Sequence, residues 1–254
     1  MRTLLVDADV LVYRFAHSEE VVVQWTRDLY TAHGELEPAK LHFMSYVKEL
    51  LARTECEEPL FYLSDADANF RKEIPLVNYK QNRLGTRRPV LWKPLRDWIQ
   101  NEHLAHHGMA PRLEGDDLLG LAATELDGDF IIATIDKDLD QIPGFHYNWD
   151  KFDLGVYEVT KAEGERFFYK QALMGDRVDG YDGCPGIGPK RADKILGDCE
   201  PGEEWEAIVA AYEKAGLNES VALANARCAR ILRAGEYDWD TNTVRLWTPP
   251  TGDN

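Results

Sequence analysis

Three short apolar runs, each followed by an aspartate, constrain the fold of this 254-residue chain most strongly. They cover residues 3–6, 59–63 and 130–135. Short continuous apolar runs are typical of strands that are buried on both faces of a parallel sheet. Segments with a helical pattern separate or follow them, at 38–53, 92–105 and 115–126. This alternation predicts an α/β fold with a mostly parallel central sheet flanked by helices.

The carboxyl ends of the three predicted strands lead to Asp7, Asp65 and Asp136. Ligands of open α/β sheets bind outside the carboxyl ends of the strands, so these carboxylates are candidates for one site. Asp67 is an alternative to Asp65 at the second strand. We prefer Asp65, because it lies closer to the end of the apolar run.

The sequence pattern becomes helical after about residue 160. Predicted elements follow in the order helix 160–174, hairpin 185–197, helix 203–215, helix 218–233 and strand 243–247. We therefore divide the chain into an α/β core at 1–160 and a helical region at 161–254 that packs back on the core.

The cysteines and the apolar runs indicate the cellular compartment in which the protein acts. The four cysteines are scattered without paired spacing, which argues against a zinc site or a disulfide framework and fits a reducing cytosol. Asp7 and Asp9 interrupt the apolar start of the chain, which is unlike a signal peptide. No run approaches the roughly 18 apolar residues of a membrane span. These features predict a cytoplasmic protein that does not engage a membrane.

Acidic side chains recur at spacings that suit metal ligands. Glu114 and Asp117 share one face of a predicted helix, and an extended turn would direct Asp136 and Asp138 the same way. Three acids within residues 114–117 exceed what capping of the helix dipole needs. The full candidate set has nine carboxylates: Asp7, Asp65, Glu114, Asp116, Asp117, Asp136, Asp138, Asp176 and Asp179.

Nine carboxylates that converge without cations would repel each other and raise each other's pKa values. Divalent cations relieve that repulsion. Oxygen ligands without a Cys or His cluster indicate Mg²⁺, with Mn²⁺ as a substitute. Two such ions about 4 Å apart can clamp the attacking and leaving oxygens of a phosphodiester. The acids therefore predict metal-dependent hydrolysis of a nucleic-acid backbone.

Two segments have the properties of phosphate-binding surfaces. A glycine turn opens a basic helix, and its bare amides suit a phosphate; it contains Gly186, Ile187, Gly188, Lys190 and Arg191. Pro189 suits the first helical turn but removes one amide donor. Residues 71–96 carry eight basic side chains and one acid in a chain of net charge −16. A solvated basic loop is the alternative interpretation, but Tyr79 and Trp92 interleave the charges, as in strand-binding surfaces.

These motifs in this order resemble the 5′-nuclease superfamily, which includes flap endonucleases and the 5′-nuclease domain of bacterial DNA polymerase I. The stand-alone 5′→3′ exonucleases of short-tailed bacteriophages are especially similar. The resemblance extends nearly end to end and rests on Val6-Asp7, Phe70-Arg71, residues 78–83, Glu114-Gly115-Asp116-Asp117, Asp136-Lys137-Asp138, Gly175-Asp176, Asp179-Gly180-Tyr181 and Gly186-Ile187-Gly188.

The resemblance implies a two-metal phosphodiesterase. Its first metal site would use Asp7, Asp65, Glu114 and Asp116, and its second Asp136, Asp138, Asp176 and Asp179. Asp117 would bind directly or through water. A helical arch at about 71–110 would carry the catalytic residues Lys80 and Arg83. The residues implied to contact DNA are Arg71, Tyr79, Arg87, Arg88, Gly186, Ile187, Gly188, Lys190 and Arg191, with Tyr79 stacking on an unpaired base.

In relatives the hairpin holds duplex backbone as a helix–three-turn–helix, often with K⁺. The expected substrate is duplex DNA with a free 5′ end, a nick or a flap, with an RNA/DNA hybrid as a second possibility, and the expected state is a monomer. We expect a 5′→3′ exonuclease, and a flap endonuclease using the same site is the alternative.

Two other classes remain open at this stage. A haloacid-dehalogenase-type phosphatase has an opening Asp-x-Asp that residues 7–9 resemble, but it has no use for the glycine hairpin. A non-catalytic, structure-selective DNA-binding protein would need the basic segment and the hairpin, but not nine acids.

Overall fold

The central element is a six-stranded sheet, seen in a computed structural model that describes residues 2–83, 85–102, 107–200 and 202–250. Its strands are β1 (Arg2–Asp7), β4 (Glu58–Tyr62), β5 (His107–Gly108), β6 (Asp129–Ala133), β7 (Gly144–Tyr147) and β8 (Val156–Val159). Their order in the sheet is β5-β4-β1-β6-β7-β8, and only β8 is antiparallel to its neighbour. The predicted α/β class is confirmed.

Strand β1 lies at the centre because its side chains are apolar on both faces. Leu5 pairs in register with Leu60 of β4 and Ile132 of β6. Leu4 and Val6 belong to one hydrophobic cluster and Leu5 to the other, so successive side chains enter opposite layers. This arrangement explains why the first apolar run is continuous rather than alternating.

Helices cover both faces of the sheet and form most of the second half of the chain. The first four are α1 (Ala8–Ser18), α2 (Leu36–Thr54), α3 (Trp92–Glu102) and α4 (Gly115–Glu125). The others are α5 (Lys161–Met174), α6 (Pro189–Asp198), α7 (Glu204–Lys214) and α8 (Glu219–Ala229). In the described part of the chain, 3₁₀ helices cover Phe70–Glu73, Gln81–Arg83, Lys137–Gln141 and Trp149–Leu154. Of the described helices, none is long and apolar enough to cross a membrane.

Several elements differ from the sequence-based prediction. Helix α1 and an antiparallel hairpin of β2 (Glu20–Gln24) and β3 (Tyr30–Gly34) were not predicted. The last predicted helix ends at Ala229, and the predicted strand 243–247 is reduced to β10 (Thr243–Val244), which pairs with β9 (Tyr237–Asp238). Helix α1 forms because the Asp7 side chain caps Val10 N–H and an apolar face packs on the sheet.

The predicted division at residue 160 stays a prediction, and hydrophobic contacts extend across it. One cluster joins Leu5 and Ile132 of the sheet to Phe168 and Trp205 of the later helices. The predicted arch at 71–110 includes packed structure as well, because α3 lies against α1 and α2 and buries Leu95. Before α3, the described residues 81–82 and 85–88 are exposed.

Candidate active site

An acidic cavity of about 1260 Å³ lies at the carboxyl ends of β1, β4 and β6. Six of the nine predicted carboxylates line it: Asp7, Asp65, Glu114, Asp116, Asp136 and Asp179. Five of them end or follow strands or lie at the start of α4, so the sheet edge and one helix end bring them together. This is the edge at which ligands of open α/β sheets bind.

Asp7 and Asp116 are the carboxylates whose ionisation the site opposes most. Asp7 is 3% exposed and accepts a hydrogen bond from Thr134 Oγ1 at 2.8 Å. Burial, with the charge of Asp9, raises the pKa of Asp7 to about 7. Burial and the charges of Asp7 and Asp136 raise the pKa of Asp116 well above its usual value. The cavity therefore lacks the positive charge that would let these groups ionise together.

Lys80 supplies part of that positive charge. Its ammonium group donates to Glu114 and lies 3.6 Å from a carboxylate oxygen of Asp179. Burial raises the pKa of Glu114, but Lys80 and Arg71 outweigh it and lower that pKa to about 2. Glu114 is therefore ionised while Asp116, two residues away, resists ionisation.

A close backbone contact holds Lys80 in the cavity. Its N–H donates to the carbonyl oxygen of Asp179 at 2.7 Å, and its φ of +53° is in the left-handed region. Gly180 makes the approach possible, because a Cβ there would lie 2.8 Å from the carbonyl oxygen of Asn78. The segment around Lys80 is thereby attached to the turn that carries Asp179.

Asp138 and Asp176 lie beside the cavity and share a lysine. Lys137 Nζ lies 2.6 Å from an Asp138 oxygen and 3.6 Å from an Asp176 oxygen. Burial and the charge of Asp136 raise the pKa of Asp138 to about 6. The predicted extended turn is wrong, because Asp136 caps a 3₁₀ helix and accepts the N–H of Asp138 at 2.9 Å.

The choice between Asp65 and Asp67 is a matter of orientation. Asp65 lines the cavity and accepts N–H groups of Asp67, Ala68 and Arg112. Asp67 is exposed, outside the set of described residues that line the cavity. The turn that Asp65 organises therefore directs its own carboxylate, not that of Asp67, towards the other acids.

Asp117 and Arg71 do not take the positions expected of a metal ligand and a DNA contact. They form a buried pair, 0% and 3% exposed, in which both guanidinium NH₂ groups bind the carboxylate at 2.6 and 2.7 Å. Asp117 also accepts the N–H of Leu232. The two predicted roles are wrong for this structure, because each charge faces the other inside the core.

Tyr79 also departs from its predicted role. It is 4% exposed, and its hydroxyl donates to Glu114 at 2.6 Å. Its ring stacks against Tyr181, with centroids 6.5 Å apart. A ring buried in this way presents no open face to a base, so in this structure Tyr79 positions Glu114 instead.

Sequence reasoning assigned Asp9 no role beyond the rival Asp-x-Asp motif, and it counted Arg96 only among the basic side chains of residues 71–96. Both line the cavity. Asp9 pairs with Arg96 and accepts the N–H of Ser64 at 2.7 Å, while Arg96 also donates to the Ser64 carbonyl. The pair joins the ends of β1 and β4 to α3. Its only sequence signal was the position of Asp9 two residues after Asp7.

The remaining basic candidates differ in what they contact. Arg88 lines the cavity, with its guanidinium 3.9 Å from the ring centroid of Trp92. Arg87 pairs with Glu20 of the β2–β3 hairpin, at 2.8 Å for one of its two bonds. The side chain of Arg83 lies outside the described residues. Partners distant in sequence thus neutralise part of the basic segment.

The glycine hairpin lies at the surface before α6. Gly186 has a φ of +75°, and Pro189 is the first residue of α6. Arg191 folds back and donates to the Gly186 carbonyl at 2.8 Å, while Lys190 is exposed. Gly186, Lys190 and Arg191 are exposed and Ile187 and Gly188 are half-buried, so a large ligand can reach the turn.

The donor set of the cavity fits a hard divalent cation in chemistry and charge. It offers carboxylate oxygens whose pKa values burial and mutual repulsion raise, at Asp7 and Asp116. Among the described residues, however, no group of three or more His, Cys, Asp or Glu side chains has the geometry of a metal site. Lysines 80 and 137 contact the acids in this state. Cation binding therefore requires the acids to exchange lysine contacts for metal contacts.

We expect the metal-free protein to lose stability between pH 6 and pH 8. Asp7 has a pKa of about 7 in the folded chain against a usual 3.8, so the stability it contributes is complete below pH 3.8 and is lost as pH rises through 7. Glu114 acts in the opposite sense, because its stabilisation is present above pH 4.5 and is lost towards pH 2. Thermal unfolding in EDTA should show a midpoint several degrees lower at pH 8 than at pH 6. The same slope in Asp7→Asn would contradict this origin.

Comparison with known proteins gives both a family match and full-length relatives. The family described as "5′-3′ exonuclease, N-terminal resolvase-like domain" matches residues 2–164. The chain is similar to the exodeoxyribonuclease of Enterobacteria phage T3, at 26% identity over 97% of this chain and 92% of that protein. It is similar to the exonuclease of Escherichia phage T7 at 26% identity, over 97% and 93%.

Solved structures show the same fold. A mutant of the 5′-exonuclease of bacteriophage T5 superposes with a TM-score of 0.59 at 16% identity, over 89% of this chain and 86% of that chain. A T5 flap endonuclease in a pseudo-enzyme-product complex with DNA and metal ions superposes with a TM-score of 0.56 at 17% identity, over 90% and 91%. The likeness in fold therefore extends beyond the relatives found by sequence.

Proposed function

This chain belongs to the 5′-3′ exonuclease family, and we propose that it hydrolyses duplex DNA from a free 5′ end and releases mononucleotides. Family membership confirms the prediction of a 5′ nuclease, of exonuclease or flap-endonuclease type. The exonuclease assignment is supported by the T3 and T7 relatives, which align over 97% of the chain. Family membership excludes the haloacid-dehalogenase-type phosphatase and the non-catalytic DNA-binding protein.

One observation carries the proposal: carboxylates from the ends of three parallel strands and one helix share a cavity with Lys80. Six carboxylates would repel a negatively charged backbone phosphate unless cations bind there as well. We propose Mg²⁺, with Mn²⁺ as a substitute, held by Asp7, Asp65, Glu114 and Asp116 on one side and Asp136, Asp138, Asp176 and Asp179 on the other. When bound, the two ions would activate water and stabilise the charge that develops on the phosphate.

Lys80 is the protein cation best placed to act on the substrate. Its ammonium contacts Glu114 and lies near Asp179 in the cavity. Cations at these carboxylates would release the ammonium group to donate to a phosphate oxygen. A donor fixed before the reaction stabilises the transition state without reorganisation at that step. Arg83 remains a second candidate for this role.

The exposed hairpin is the proposed grip on duplex DNA. Backbone amides and basic side chains at a helix N-terminus bind phosphates without reading sequence. Gly186, Ile187, Gly188, Lys190 and Arg191 are the proposed contacts, with K⁺ at the hairpin carbonyls as a further expectation. Arg88 and Arg87 would contact the strand near the cavity, where Arg87 must first leave Glu20.

The flap-endonuclease alternative uses the same cavity and differs in how the exposed segment before α3 treats a 5′ end. Activity on an RNA/DNA hybrid and a monomeric state remain predictions, as does action in the host cytoplasm, which the phage relatives suggest.

The deciding experiment uses one set of labelled substrates. Duplex, nicked and flapped DNA, each labelled at the 5′ or the 3′ end, is incubated with Mg²⁺ or with EDTA. We expect labelled mononucleotides from 5′-labelled duplex with Mg²⁺ and no cleavage with EDTA. Cleavage confined to the flap junction would select the endonuclease, and cleavage in EDTA would exclude the metal mechanism.

Lys80→Ala should reduce the cleavage rate by about 10²–10³-fold, the usual effect of losing one transition-state donor. Its affinity for duplex DNA should fall less than about threefold, because the contact matters most in the transition state. Single-turnover rates and a binding titration measure the two quantities. Lys93→Ala is the matched control, since Lys93 is exposed and pairs with Asp97 at 2.6 Å. Equal losses of rate and affinity in Lys80→Ala would make Lys80 an affinity contact only.

A further inference from the structure

A second, smaller cleft adjoins the acidic cavity on the side of β7. Its volume is about 290 Å³, and it shares Arg14, Trp149 and Asp150 with the larger cavity. Strand β7 is parallel to β6, so the cleft opens at the same carboxyl edge of the sheet. A volume near 300 Å³ is at the lower limit of small-molecule sites. It is suited to a single nucleotide and is too small for a duplex.

Two guanidinium groups in this cleft are weakly engaged. Arg14 is about half exposed, and its nearest acid, Asp150, lies 3.7 Å away, beyond a good hydrogen bond. Arg53 pairs with Glu49 at 2.5 Å one helical turn away, in a contact that is half exposed. Exposed pairs of this kind contribute little and exchange readily. Arginine presents a planar fork that matches a phosphate group.

Aromatic rings surround these cations. The Arg14 guanidinium lies 4.8 Å from the ring centroid of Tyr46, and that of Arg53 lies 5.4 Å from Phe152. The Phe152 side chain is 55% exposed, although it lines a cleft. Exposed aromatic faces next to arginines are the usual means of holding an unpaired base and its phosphate.

Trp149 gives an independent indication that the cleft takes a polar ligand. Its ring is 4% exposed and lines both cavities, yet its indole N–H has no hydrogen-bond partner among the described residues. A buried donor without an acceptor is costly, so such groups normally have a partner. The nitrogen itself is covered, so an acceptor in the cleft reaches it once the side chains over it shift.

We propose that this cleft binds one nucleotide carrying a 5′-phosphate, as it leaves or approaches the acidic cavity. Arg14 and Arg53 would hold the phosphate, Phe152 and Tyr46 the base, and Trp149 would donate to the sugar or phosphate. This inference rests on the proposed function, because the exonuclease reaction produces such a nucleotide beside the cleft. The cleft balances its two acids with two arginines, unlike the acidic cavity, so an anion released there has a favourable place to move.

The test is direct binding in EDTA, which separates the cleft from metal-dependent steps. The probes are 2′-deoxyadenosine 5′-monophosphate and a short 5′-phosphorylated oligonucleotide, titrated by calorimetry or NMR. Arg53→Gln and Phe152→Ala should each weaken binding about tenfold, as expected for one base stack or one charged contact. Glu49→Gln should strengthen it, because it frees Arg53. Arg245→Gln, an exposed arginine paired with Asp238 at 3.1 Å, is the matched control and should bind normally.

Each outcome has one meaning. Binding of the mononucleotide supports a released product, and binding of the oligonucleotide alone supports a strand end; both support the cleft. No binding by the unsubstituted protein, or equal binding by Arg53→Gln and Phe152→Ala, would overturn the inference. Cleavage of DNA without cleft binding leaves the proposed function intact, whereas binding without cleavage removes the proposed function and leaves the cleft.

Discussion

Asp116→Asn should reduce DNA cleavage by about 10³-fold or more while duplex binding persists. Asp116 lines the acidic cavity, and burial with the charges of Asp7 and Asp136 raises its pKa. Because Asp116 is a proposed direct ligand, its substitution should reduce the cleavage rate by more than the 10–100-fold typical of residues that only orient a metal ligand. Because the substitution removes a repelling charge, the metal-free protein should unfold at the same or a higher temperature at pH 8.

Three readouts together distinguish the loss of a ligand from the loss of the fold. Single-turnover cleavage with Mg²⁺, a DNA-binding titration with Ca²⁺ or EDTA and thermal unfolding are measured on the same preparation. Asp127→Asn is the matched control, because Asp127 is exposed just beyond the opposite end of α4. Unchanged turnover in Asp116→Asn would refute the proposed site, and lower stability with lost binding would make Asp116 structural.

Arg71→Met should destabilise the protein by about 3–5 kcal/mol, the cost of leaving a buried charge without its partner. Arg71 binds both oxygens of Asp117, which is 0% exposed. It also donates to the carbonyl oxygens of Cys228 and Arg230, at 3.0 and 2.5 Å. These bonds join the start of α4, which carries Glu114 and Asp116, to the end of α8.

Urea unfolding of single and double variants isolates the charge. The double variant Arg71→Met with Asp117→Leu removes both buried charges, so it should recover part of the loss. Arg2→Met is the control, because its ion pair with Asp129 is partly exposed and should contribute about 1 kcal/mol or less. A loss below 1 kcal/mol in Arg71→Met would show that the pair is not desolvated in solution.

The fold was predicted correctly for segments whose burial requires a recognisable apolar pattern. Three apolar runs became parallel strands, and helices predicted at 38–53 and 115–126 appear at Leu36–Thr54 and Gly115–Glu125. The β2–β3 hairpin was missed because it is exposed at residues such as Val21 and Trp25. Its sequence therefore lacks the apolar pattern of a buried strand. Strand β5 has only two residues, too few to form a recognisable run.

The candidate site was predictable as a set of acids, but not as an arrangement. Strand ends locate Asp7, Asp65 and Asp136 by a rule of parallel sheets. The spacing of Glu114 and Asp117 gives them a shared helix face and nothing more. Asp116 enters the cavity and its neighbour Asp117 does not, because Asp117 pairs with Arg71. The two residues of this pair are far apart in the sequence.

The basic segment shows the same limit. Its charge count predicted a DNA surface, yet Arg71, Arg87 and Arg96 each pair with an acid distant in sequence. A count of charges does not show how far each arginine is removed from water or which acid it pairs with. Both depend on three-dimensional packing.

The sequence by itself determined the α/β class, the family and the carboxylates that could serve as ligands, because burial, strand periodicity and motif order are written along the chain. The tertiary structure decided which carboxylates face the cavity, which arginines are neutralised in the core, and that a cleft of aromatic and guanidinium groups adjoins the acids. Those outcomes depend on side chains that meet from separate elements, and the strength of each charge depends on how far that meeting excludes water.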